Sequence, residues 1–145
     1  MGRMLLLALA VGFSAPVVAQ EIKSEAATVS VCELVKNPSE YHGQMVLVHS
    51  RVYPAMIDTP TVLFDSRCAT SIRLDTYSPA EAYKVQAYRD FRRYLNEWRT
   101  VEATLLGRFE MILVPSMEPM LTFRLVRVAD VSPGAAFFPQ RRKPK

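Results

Sequence analysis

The sequence is poor in the residues that usually announce a chemistry. Its 145 residues include two cysteines, two histidines, one tryptophan and five glycines. Two cysteines exclude a disulfide-dense miniprotein and a four-cysteine zinc site. The histidines, His42 and His49, are separated by a turn at Gly43, which is not ligand spacing for a metal. There is no CxxC pair, which argues against a thiol oxidoreductase. There is no GxSxG, no HExxH and no glycine-rich phosphate loop, so no hydrolase or nucleotide-binding motif is present. Long apolar runs are lacking too: the stretch from Met4 to Phe13 is about ten residues, short of the roughly 20 needed to span a bilayer.

Half of the chain is apolar and 22% is charged, a balance that argues for a folded domain over disorder. The length suits one domain with a real core. The net charge of +4 is unevenly spread. Arg3 is the one charge in residues 1–19, and Arg141, Arg142, Lys143 and Lys145 crowd residues 137–145. Between them, residues 20–136 hold 13 positive and 14 negative side chains. The basicity therefore belongs to a tail.

The N-terminus has the three parts of an export signal: the cation Arg3, the apolar run, and the small residues Val17-Val18-Ala19 after the breakers Ser14 and Pro16. Cleavage is expected after Ala19, placing the mature protein in the periplasm or outside the cell. An uncleaved anchor is the alternative. In that oxidising setting Cys32 and Cys68 are expected to bridge, a free thiol or an intermolecular bond being the alternatives. A loop of about 37 residues closed in this way stabilises a fold by roughly 3–4 kcal/mol in the chain-entropy model.

Residues 20–28 are polar and Ala-rich and read as a flexible N-terminus. Ser30-Val31-Cys32-Glu33 fits a capping box opening a short helix that Asn37-Pro38 ends. Met45–Tyr53 alternates as a half-buried strand, with Val46, Val48, Ser50 and Val52 inward and His49, Arg51 and Tyr53 outward. Residues 61–65 and Thr70–Asp75 form two more strands around a tight turn holding Cys68. Ser78-Pro79-Ala80-Glu81 reads as a second capping box, starting a helix to about Trp98 with the stripe Tyr83, Ala87, Phe91, Leu95 and Trp98. Residues 101–110 and 121–131 are the last strands. Gly107 marks a bend, and a slip of pattern near Leu125 predicts a bulge. Ser132-Pro133-Gly134 is expected to end the fold.

The expected class is mainly β: a five-stranded Greek-key barrel with a helix between strands three and four and a short N-terminal helix. That is the OB-fold-like layout. It gives a signal peptide over 1–19, a flexible segment over 20–28, an OB-like domain over 29–136 and a basic C-terminal tail over 137–145.

The run Ser30-Val31-Cys32-Glu33-Leu34-Val35-Lys36-Asn37-Pro38, followed by Tyr41-His42-Gly43-Gln44-Met45-Val46, resembles the opening of a family of small exported bacterial proteins of unknown function. Cys68, Ile72-Arg73-Leu74-Asp75 and the stretch from Val101 to Phe109 are similar to that family as well. The resemblance covers most of residues 29–131 and departs at Ser50, where the pattern has Gly. It implies an OB-like barrel and export, and carries no catalytic residues.

Other chemistry is thin. Met111, Met117 and Met120 share a loop and could hold Cu(I), yet no histidine accompanies them, so apolar packing is the plainer reading. Asp58, Asp65, Asp75 and Glu110 do not match the spacing of secreted OB-fold nucleases. The helix cations Lys84, Arg89, Arg92 and Arg93 are interleaved with Glu81, Asp90 and Glu97, a solvated pattern that argues against nucleic acid. The leading expectation is a non-enzymatic, exported binding or interaction module of the bacterial cell envelope. It needs no cofactor or metal, and its partner is an envelope protein or small ligand. The expected binding face is His49, Arg51, Tyr53, Arg73 and Tyr77, rimmed by the 111–120 loop. The alternatives are a metal-dependent, phosphodiesterase-like hydrolase using Asp65, Asp75 or Glu110, and a structural protein whose basic tail touches anionic lipid.

Overall fold

A computed structural model of the protein describes residues 26–76 and 80–136. The expected signal peptide, Tyr77, the Ser78-Pro79 start of the second capping box, and the tail cations Arg141, Arg142, Lys143 and Lys145 lie outside the described residues.

The chain begins with a two-residue strand, Ala27–Thr28 (β1), at the end of the segment expected to be loose. It pairs in parallel with Val46 and Leu47. Helix Val31–Lys36 (α1) follows, and its capping box is formed: the Ser30 amide donates to Glu33 Oε2 at 2.9 Å while the Glu33 amide donates to Ser30 Oγ at 3.2 Å. Asn37 breaks it, and Pro38–Tyr41 (α2) adds one more turn. The barrel strands are Met45–Tyr53 (β2), Val62–Asp65 (β3), Thr70–Asp75 (β4), Arg99–Ile112 (β5) and Met120–Ala136 (β6). Their order is β2-β3-β4-β6-β5, and β2 pairs with β5 to close the circle. The β4–β6 contact is parallel and the other barrel pairings are antiparallel. This is the expected OB-like barrel.

Alternation places Val46, Val48 and Val52 of β2 inside, with Leu63, Ile72, Leu105, Phe109 and Phe123 from the other strands. Burying each of these side chains contributes roughly 1.5–3 kcal/mol. Between β4 and β5 lies Gln86–Asn96 (α3), which packs Tyr88, Phe91 and Leu95 against β5 and β6. The expected stripe is corrected here. Residues 80–84 form a 3-10 turn, and Val85 is extended, so the α-helix restarts at Gln86 and the phase set by Tyr83 is lost. Tyr88 is buried in its place, while Tyr83 and Trp98 are exposed. Trp98 follows the helix with a φ of 56°, the left-handed turn that ends it.

The slip of pattern in β6 is a bulge. Leu106 pairs with Arg127 and Gly107 with Leu125, leaving Val126 as the extra residue. A second irregularity sets Thr104 against Asp130 and Leu105 against Val128. Leu125 and Val128 both point inward as a result, and Val126 is exposed. Gly107 is required by a close approach: a Cβ there would strike the Phe123 ring and stand 2.5 Å from the Arg124 carbonyl oxygen. The expected stop at Ser132-Pro133-Gly134 is corrected too, since β6 runs to Ala136. Beyond Arg124 it pairs with β5 alone, so Pro133 costs no second ladder bond.

Cys32 and Cys68 form a disulfide with Cα atoms 5.8 Å apart. It ties α1 to the β3–β4 turn. These constraints set the stability of two variants. Gly107→Ala is expected to destabilise the fold by about 1–3 kcal/mol through overpacking, read as a lower urea midpoint. Replacing both cysteines by alanine is expected to lower the unfolding free energy by about 3 kcal/mol; an unchanged midpoint would contradict it.

Candidate functional site

Two depressions flank the outer face of β2 and β3. The first, a groove of about 660 Å³, is lined by Tyr53, Val62, Phe64, Arg73 and Met120, with Met56 and two prolines at its edge. Strand pairing builds it: Tyr53 is opposite Val62, and Val62 opposite Arg73, so three strands present one continuous strip. Tyr53 and Phe64 meet edge to face with ring centroids 5.5 Å apart. Arg73 Nη1 lies 3.9 Å from Met120 Sδ. The β2–β3 loop on one flank is pinned by reciprocal Met56–Thr59 backbone hydrogen bonds of 2.9 and 3.2 Å. The β5–β6 hairpin tip supplies Met120.

Apolar side chains concentrate on these two loops. Of the ten exposed large hydrophobic residues among those described, Met56, Ile57, Ile112, Leu113, Met117 and Met120 belong to them or to the strand ends that carry them. Ile57 is 97% exposed and Met117 71%, far more than core packing would leave. Patches of this kind mark contact surfaces.

The second depression, about 510 Å³, is polar and bounded by Ser30, Glu33, His49, Arg51, Asp65 and Arg67. Its charges are matched locally. Arg51 pairs with Glu102 at 2.6 Å and Arg67 with Asp65 at 2.6 Å. The hydrogen bond from the Ser30 backbone holds the Glu33 carboxyl below its usual range, and the Arg67 guanidinium does the same for Asp65. The Glu102 carboxylate in turn raises the pKa of Arg51. His49 Nδ1 is 3.0 Å from Thr104 Oγ1.

The residues expected to form one face are therefore divided. Tyr53 and Arg73 share the apolar groove; His49 and Arg51 border the polar depression; Tyr77 lies outside the described residues. Phe64, Val62 and Met56 were absent from that expectation. The outward parity of Val62 and Phe64, opposite to buried Leu63, was the available signal.

Of the candidate carboxylates, Asp65, Asp75 and Glu110 are engaged by arginines. Arg124 Nη2 lies 3.1 Å from Glu110 and its Nε 3.8 Å from Asp75. Among the described residues the one cluster with metal-ligand proximity is Cys32, Asp65 and Cys68, and both sulfurs are taken by the disulfide. Met117 is exposed on the loop while Met120 lines the groove. His42 serves the fold, because its Nδ1 accepts from the Met111 amide at 3.0 Å and caps β5 beyond its pairing with β2. On the helical segment Lys84 pairs with Glu81 at 2.7 Å and Arg93 with Asp90 at 3.0 Å, while Arg92 donates to Thr76 Oγ1. Those cations are occupied locally, against a phosphate-tracking face. No described helix is long and apolar enough to cross a membrane.

No family model, curated protein or solved structure matches the chain.

The lowered Glu33 and Asp65 carboxyls predict an acid-sensitive clasp at the second depression. Their folded pKa values lie below the unfolded ones, so their stabilisation is present above the ordinary carboxylate range and is lost as pH falls through the lowered values. The melting temperature is expected to fall on acidification below about pH 4.3. Combining Glu33→Gln with Asp65→Asn should lower the melting temperature at neutral pH and flatten that decline. An undiminished slope in the double variant would count against the assignment.

Proposed function

We propose that the protein is an exported, non-enzymatic OB-like binding module of the bacterial cell envelope, periplasmic or secreted after cleavage behind Ala19, and that it engages a ligand or partner through the groove over β2, β3 and β4. The observation that carries this reading is the groove itself. It joins a continuous aromatic and aliphatic floor to a cation, between two loops rich in exposed apolar side chains. Its size falls in the range of about 300–1,000 Å³ usual for ligand sites. The Cys32–Cys68 bridge agrees with an oxidising compartment. The pairing of Asp65, Asp75 and Glu110 with arginines favours binding over metal-dependent hydrolysis.

The test has two arms. The intact mass of protein recovered from the periplasm or medium should correspond to a chain starting at Gln20. Protein immobilised in envelope extract should retain material that a variant combining Tyr53→Ala and Arg73→Ala does not. Equal retention by both would remove the groove as the binding face.

A further inference from the structure

Arg73 is the one cation among the described residues that lines the groove. Arg51, Arg67, Arg93 and Arg124 each meet a carboxylate. Arg89, Arg92 and Arg99 donate to oxygen acceptors, Tyr83 O, Thr76 Oγ1 and Gly134 O. Among the described residues Arg73 has only the Met120 sulfur, 3.9 Å away. A thioether is a weak acceptor, and a guanidinium carries five donors in a planar fork suited to a carboxylate. No carboxylate lines the groove; Asp58 and Glu118, on its flanking loops, are not part of its wall. Apart from the hydroxyls of Thr59 and Ser71, the remainder of the wall is Tyr53, Val62, Phe64, prolines and methionines, which offer a ligand mostly apolar contact.

Taking the groove as the binding face, we propose that its ligand is a free amphipathic monoanion. The apolar body lies along Val62, Phe64 and Tyr53, and a carboxylate accepts hydrogen bonds from the Arg73 guanidinium. Charge complementarity selects this class. A cation would meet Arg73 directly, and a neutral apolar molecule would leave the guanidinium donors unfilled where its own bulk excludes water. Exposed Ile57, next to Met56 of the groove, and exposed Met117, on the loop that leads to Met120, add apolar surface on the two flanking loops.

The experiment is calorimetric titration of the purified protein with dodecanoate, dodecan-1-ol and dodecyltrimethylammonium, each below its micelle-forming concentration, beside vesicles of anionic phospholipid. Dodecanoate is expected to bind most tightly. Arg73→Gln should weaken it about tenfold, the loss of a charge-assisted hydrogen bond, and leave dodecan-1-ol unchanged. Arg73→Lys should restore part of the difference. Met120→Glu, which puts a negative charge beside Arg73, should weaken dodecanoate and strengthen the ammonium probe. Thermal unfolding of each variant establishes that it is folded. Equal affinity for the acid and the alcohol would overturn the anion while leaving the groove as a site. Dodecanoate binding untouched by Arg73→Gln and Met120→Glu would place the ligand elsewhere. Binding to vesicles with none to dodecanoate would replace the free ligand with a membrane surface. Failure of all probes would overturn the monoanion class, whereas the groove itself stands or falls on the envelope-extract comparison.

Discussion

The fold depends on β2 pairing along both of its edges. One edge runs antiparallel to β5 from Met45 to Val52. The other meets β1 at Val46 and Leu47 and then β3 from Arg51 to Tyr53. A strand that changes neighbours must bend, and Ser50 occupies that point. It is buried, and its hydroxyl donates to the Phe64 carbonyl at 3.0 Å. A small residue fits where a larger one would press on the core, and the hydroxyl adds a tie to β3. Without this bend β3 and β4 would not lie beside Tyr53, and the sheet would remain open. The groove is a consequence of barrel closure.

Closure also decides the electrostatics. Antiparallel register brings Arg51 opposite Glu102, and the β5–β6 pairing brings Arg108 and Glu110 alongside Arg124 and Thr122. Most outward charges on the strands find partners through that geometry. Arg73 is left without a carboxylate because its cross-strand partners are Val62 and Thr122. The chain's net charge of +4 is a poor guide to this arrangement. What matters is where a cation without a carboxylate stands: Arg73 is the one that lines the groove.

Much of the architecture was legible in the sequence. The strict alternation of β2 has one solution, since a shift by one residue would bury His49 and Arg51. The Ser30–Glu33 box and the break at Asn37 depend on contacts within a few residues, and the bulge near Leu125 shows as a change in apolar parity along β6, so local pattern sufficed. The long helix is different, because Tyr83 and Phe91 are compatible with one helical phase and nothing local shows that Val85 turns extended. The end of β6 is hidden for a similar reason: Ser-Pro-Gly reads as a stop, yet pairing to β5 overrides it. The site was only half visible. Outward parity identifies Tyr53 and Arg73, but His49 and Arg51 share that parity and belong to another depression. Separating them requires knowing where β3 joins β2.

The claim that most needs testing is that ligand binds over β2, β3 and β4 at the groove. Amide chemical-shift mapping by 1H–15N NMR, with dodecanoate added to the labelled protein, addresses it directly. Perturbations are expected to concentrate at Tyr53, Val62, Phe64, Arg73 and Met120, with Ser30, Glu33 and Arg67 of the polar depression unmoved. Perturbations centred on that second depression, or scattered without focus over the barrel, would contradict the claim.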